Sequence, residues 1–365
     1  MTTGTTEFPV TGPPPGPALP RWRRWAPVLA LMVLAPWAGE CSWGGFSAAG
    51  FVFVVVVLAP LYGAAAVLIR EVSVRVGGGW PAIVLLAAAF GIFQAGLVDQ
   101  ALFNLGFTEN TAYADEVEAA RATTVPLLGF SAGSALTYVG NHIALSICAP
   151  IAIVESYLAP ARRHQPWLGR PGLIVMVVLF VLGCSIIFFD EENGRKGFLA
   201  SPLQLAFAAL TVLALIGAAL LPRWRRRPRP VAGRSPHPLW AGILVFGARF
   251  VADPHDWAAV SLQVAVTTAA AAVIVVWSRR AGWNQRHVLT AWAAALVSAA
   301  VFAYFVPNYD PHSRLVSATE ALLNDIAISA IVLALLGGAY WRLRHSPPGS
   351  IEGALLTKRA TRDQS

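Results

Sequence analysis

The chain of 365 residues is 56% hydrophobic and only 13% charged, with a mean hydropathy of +0.59. Soluble domains carry about 25% charged residues, so lipid is the expected solvent, and the net charge of +8 reflects the Arg excess that orients membrane helices rather than a nucleic-acid partner. The three cysteines, Cys41, Cys148 and Cys184, have no zinc or redox spacing and read as small hydrophobes.

Residues 1–20 are rich in Pro, Gly and Thr without apolar period and read as a disordered cytoplasmic tail. Arg21, Arg23 and Arg24 precede the apolar run Trp25–Gly39, which has the outline of a signal peptide. Its WAGEC ending has the look of a lipoprotein box, but Glu40 stands where a small residue should precede Cys41. More apolar segments follow, so an uncleaved first helix is expected. They are Phe46–Ile69, Trp80–Asp99, Gly133–Leu158, Gly172–Phe189, Pro202–Leu221, Leu239–Ala252, Trp257–Trp277, Val288–Val306 and Leu323–Trp341. Most have the roughly 20 residues that a membrane crossing needs; Trp25–Gly39 and Leu239–Ala252 are short.

About ten crossings put both termini on one side. With the termini cytoplasmic, the inner segments hold most of the 27 Lys and Arg, including Arg70 and Arg75, Arg162 to Arg170, the run Arg223–Arg234 and Arg279 to Arg286. Acids such as Asp115, Glu116, Glu118 and Asp190 to Glu192 gather outside. This is the positive-inside pattern. It leaves one alternative open: a re-entrant hairpin over 239–277 would give the same charge parity. The expected organisation is a six-helix membrane region over 21–221, a basic cytoplasmic loop over 222–238, a four-helix region over 239–341 and a cytoplasmic tail over 342–365. The fold class is all-α, a polytopic transmembrane helical bundle. The outer loop 100–132 contains TENTAYADEVEAARATT, which suits a short amphipathic helix. No 20–50-residue repeat is visible, which weighs against an inverted-repeat transporter.

Polar groups inside apolar helices are the candidates for function, since hydrocarbon penalises them unless protein or water meets them. The first set lies toward the outer ends of the first four helices: Glu40, Gln94, Asp99, Asn141 and His142. Two readings stand side by side. Gln94 and Asn141 can serve as interhelical glue around a neutral core His142, or all five can line an outward-facing polar cavity with His142 as base, proton carrier or metal ligand. A second set is Arg249, Asp253, His255 and Asp256. Arg249 and Asp253 are four apart and can pair along a helix face; the sharper reading is an anion or headgroup site. A third set runs through Asn308, Tyr309, Asp310, His312 and Arg314 to Glu320, Asn324 and Asp325, with Asp325 read as a helix cap. No HExxH-like spacing marks a metal site, and no metal or cofactor is expected. Gly77-Gly78-Gly79 lacks the strand–turn–helix context of a nucleotide loop and reads as a turn. Ser131 and Ser134 have no triad context.

The strings APWAGECSWGG, PLYGAAAVLIREVSVRVGGGWP, AAFGIFQAGLVDQALFN, SICAPIAIVE and HQPWLGRPG resemble an uncharacterised family of polytopic membrane proteins from actinobacteria and related bacteria. The resemblance covers about residues 35–175 and implies a multi-pass bacterial plasma-membrane protein, with no activity attached. In that pattern the third helix carries a Glu-Glu pair before Gly-Leu; here the pair is Gln94-Ala95. A looser similarity is to the CAAX-protease-like (Abi) membrane proteins, whose EExxxR motif is replaced here by QAGLV. Gln cannot act as a general base as a carboxylate does. The leading expectation is a permease-like protein that takes a small or amphipathic solute at Glu40, Gln94, Asp99, Asn141 and His142, with membrane lipid as its other partner. The alternatives are an intramembrane enzyme, protease-like or acting on lipid-linked substrates, and a non-catalytic membrane scaffold.

Overall fold

The computed structural model describes residues 21–225, 229–307 and 317–345. The protein is helical apart from a two-stranded hairpin, β1 (Thr124–Val125) with β2 (Phe130–Ser131). Ten main helical elements follow in order. They are α1 (21–41), α2 (Ala48–Arg75), α3 (Gly79–Val98), α4 (Ala132–Tyr157), α5 (Arg170–Phe189), α6 (Pro202–Arg225), α7 (Pro238–Arg249), α8 (Trp257–Ser278), α9 (Gln285–Phe305) and α10 (Ala318–His345). Among the described residues, eight are long and apolar enough to cross a membrane, α2 to α6 and α8 to α10. The two outside that set are those already short in sequence. α1 carries Arg24, Pro27, Pro36 and Glu40, which dilute its apolar run, and α7 has only 12 residues. Gly77 and Gly79, both with positive φ, make the tight turn from α2 to α3.

Successive elements alternate between two ends. At one end Tyr113 donates to the Pro307 carbonyl at 2.7 Å, the Pro254 carbonyl lies against Gly133, and Gly44 meets Ala303. At the other end Gln285 reaches the Ala152 carbonyl, Arg286 the Leu343 carbonyl, and Ser235 the Trp277 carbonyl. α7 starts beside α9, where the Thr290 hydroxyl donates to the Pro238 carbonyl at 2.7 Å. It then runs along α9 until Arg249 meets Ser298. Segment 250–256 carries the chain on to Gly133.

α3, α4 and α9 form the centre, with Leu86, Phe90, Leu145, Ile151, Leu289 and Leu296 in one buried core. α5, α6, α8 and α10 lie outside and expose large apolar side chains such as Val178, Leu210, Leu262 and Leu333. That outward apolar surface is what hydrocarbon solvates. The expected amphipathic helix forms at Glu116–Ala122, burying Val117 and Ala120 and exposing Glu118. On α10, Ser317 and Glu320 cap the helix reciprocally. Asp325 sits two turns further in and is not the cap.

The end opposite Glu40 is closed by a buried charge network. Arg70 and Glu71 are fully buried on α2, and Arg70 pairs with Glu71 at 3.1 Å and with Glu155 of α4 at 3.3 Å. The Arg70 guanidinium also donates to the carbonyls of Gln165, Arg162 and Arg163, so all five of its N–H donors are engaged. It stacks on Trp167 at 3.7 Å. Glu71 accepts from the backbone N–H of Trp167 and from Arg75. The loop between α4 and α5 is thereby wrapped around one guanidinium.

Candidate functional site

Four helices lose α-geometry at the same place. α1 continues as a π-helical turn over Trp37–Cys41, α2 contains one over Ala59–Gly63, α3 ends in one over Gln94–Val98, and α4 has one over His142–Cys148. Three causes are visible in the sequence. Pro36 precedes the first turn, Pro60 lies in the second and Pro150 follows the fourth. A proline has no N–H for the carbonyl four residues back, and its ring crowds that turn. Glycines let the distorted helices touch. A Cβ on Gly39 would stand 2.6 Å from Ser146 Oγ, and one on Gly63 would stand 2.8 Å from the Met32 carbonyl. Small residues at such contacts are how helices approach closely in lipid.

Each wide turn delivers a polar side chain to the same neighbourhood: Glu40, Tyr62, Gln94, and His142 with Ser146. The Tyr62 hydroxyl donates to Glu40 Oε1 at 2.6 Å. His142 lies beside the Tyr62 and Phe90 rings, with centroids 5.6 and 5.7 Å apart, and its Nδ1 is 3.3 Å from Ser146 Oγ. Gln94 donates through Nε2 to Asp99 at 3.2 Å. Asp99 is close enough to Glu40 and Tyr62 to act on both electrostatically. Of the six buried side-chain atoms without a partner among the described residues, two lie here: Gln94 Oε1 and, in the Glu40 turn, Trp37 Nε1. Glu40, Asp99, Asn141 and His142 each keep part of their surface accessible. His142 lies roughly 15 Å from the start of α4 at 1.5 Å per residue, so the cluster extends well away from that end of the helix. The loop after α5 adds a cation. Burial lowers the pKa of the Lys196 ammonium, while Asp99 and Asp190 act to raise it.

Of the five residues picked from sequence, four converge here and Asn141 does not. Its side chain turns to α7 and accepts from Arg249 Nη2 at 2.9 Å. Arg249 Nε donates to Ser298 of α9 at 2.7 Å. Arg249 therefore does not pair with Asp253. That carboxylate instead meets His255 at 3.0 Å, both well exposed. The reason is position: Arg249 is the last residue of α7, so the helical i,i+4 geometry does not extend to Asp253. His312, with Asn308, Tyr309, Asp310 and Arg314, lies outside the described residues. Among the described residues no three His, Cys, Asp or Glu side chains gather to hold a metal ion.

A family model described as an uncharacterised membrane protein family matches residues 29–342. The chain belongs to that family. It is a multi-pass membrane protein, and the matched span contains every residue of the two buried clusters. No curated protein and no solved structure matches it.

Sequence reasoning missed Tyr62 and Ser146, because a tyrosine and a serine in apolar runs look like an interfacial anchor and a small filler. The prolines were the available signal. It also missed the Arg70–Glu71–Glu155 network, because an arginine near a helix end reads as a topological charge.

Proposed function

We propose that this protein is permease-like, crosses the membrane about ten times with its Arg-rich end in the cytoplasm, and binds a small or amphipathic solute in a recess at its Glu40 end. The observation that carries this reading is the convergence of four π-helical turns on one polar cluster in which Gln94 Oε1 has no partner. π-turns are rare and concentrate at functional sites. A stranded buried acceptor is a cost that a bound donor relieves. Acceptors dominate the cluster, with Gln94 Oε1 and the carboxylates of Glu40 and Asp99, so the solute presents N–H or O–H groups. Tyr62 and Phe90 offer apolar faces beside them.

The test is thermal unfolding of detergent-purified protein against a panel of amines, polyols and amino acids, with Gln94→Ala and His142→Ala alongside. A stabilising compound whose effect both variants lose supports the site. An effect unchanged in both variants removes these residues from it. Variants that lose only stability, with no compound acting on wild type, favour a scaffold.

A further inference from the structure

Arg249, half-buried, stands apart from the fully buried Arg70. Arg70 meets two carboxylates and three carbonyls. Arg249 meets two neutral side chains, Asn141 and Ser298, and among the described residues no carboxylate lies within ion-pair distance of it. The carboxylate nearest along the chain, Asp253, is held by His255 at the surface. Asn141 lies roughly 14 Å along α4 from its start, at 1.5 Å per residue, so the half-buried guanidinium sits well away from that end of the helix. A cation there is costly, and the cost grows when no opposite charge compensates it.

We propose that Arg249 is an anion-binding residue, taking one carboxylate or phosphate group between α4, α7 and α9. Asn141 and Ser298 fix two arms of the fork, Nη2 and Nε. Nη1 makes no hydrogen bond among the described residues, which leaves an edge of the fork to receive an oxyanion. The site is separate from the recess at Glu40 and does not depend on that reading. The anion has two possible sources, a free small anion or a lipid headgroup.

The experiment compares wild type, Arg249→Gln and Arg249→Lys by thermal unfolding. One arm uses detergent with chloride, acetate or inorganic phosphate at matched ionic strength. The other uses nanodiscs of phosphatidylcholine with or without phosphatidylglycerol. Wild type is expected to gain a saturable rise in midpoint from acetate or phosphate over chloride, which assigns a free anion, or from phosphatidylglycerol alone, which assigns a headgroup. Arg249→Gln should lose that rise and, without anion, unfold no earlier than wild type, because an uncompensated charge has gone. A purely structural bridge predicts the opposite: earlier unfolding of Arg249→Gln and no anion response in wild type. Either that result or a response that survives in Arg249→Gln overturns the proposal. If Arg249→Gln does not fold, Arg249→Lys decides. A single ammonium cannot hold Asn141, Ser298 and an anion at once, so the half-saturating concentration should rise about tenfold or more; an unchanged value overturns the proposal.

Discussion

The two ends of this bundle treat their charged clusters differently, although Ser73 Oγ, close to Arg70 on α2, also lacks a partner. At the Arg70 end, two carboxylates and one guanidinium have no exposure to speak of, and none of their atoms is stranded. The helices there are regular, and the loop 158–169 supplies carbonyls where the side chains run out. At the Glu40 end the helices widen into π-turns, part of the polar surface stays accessible, and Gln94 Oε1 and Trp37 Nε1 lack partners. A saturated network holds one arrangement. An unsaturated one has capacity left for something that is not part of the chain.

Breaking the saturated end should have the largest effect. Arg70→Met leaves Glu155 buried without its cation and Glu71 with Arg75 alone, and removing one partner of a buried ion pair typically costs about 3–5 kcal/mol. Arg70→Lys should not rescue it, since three donors cannot replace five in a planar fork. The expected result is loss of a monodisperse peak in size-exclusion chromatography for both variants. A wild-type-like peak and midpoint for Arg70→Met would mean that the network is not what closes this end.

Tyr62→Phe tests the other end at smaller scale. It removes the 2.6 Å bond to Glu40, and a hydrogen bond to a charged group is worth about 1.5–3 kcal/mol. The protein should fold, with a lowered midpoint. Combined with Glu40→Leu, which has no acceptor, in a double-mutant cycle, the two losses should be non-additive, because each removes the same bond. Strict additivity would show that the pair does not act together.

The contrast between the ends was only half legible in the sequence. The long apolar runs placed α2 to α6 and α8 to α10 within a few residues, since hydrocarbon thickness constrains length and composition directly. Glu40, Gln94, Asp99 and His142 were visible as polar residues in apolar surroundings. Their partner Tyr62 was not, because only the π-turn around Pro60 rotates it toward Glu40. Arg70, Glu71 and Glu155 were hidden for another reason. A helix-end arginine serves topology equally well paired or free, and its pairing with a residue 85 positions away is a tertiary fact. Arg249 shows the same limit. A local spacing rule pointed to Asp253, while packing against α4 and α9 gave it Asn141 and Ser298 instead.

The smallest expected change in stability is at Gln94, and it is the one that most sharply separates the two ends. Gln94→Leu keeps the packing volume, deletes the stranded Oε1 and gives up one 3.2 Å bond to Asp99. The lost bond costs about 1 kcal/mol and the removed unsatisfied acceptor returns about as much or more. The unfolding midpoint should therefore stay within a few degrees of wild type, or rise. The same substitution should abolish the response to any solute found for the recess, since the acceptor is what the solute would engage. Stability without binding is the signature of a residue held in place for a ligand. A Gln94→Leu protein that unfolds as readily as Arg70→Met would instead mean that Gln94 is interhelical glue, and that the two ends differ in geometry but not in role.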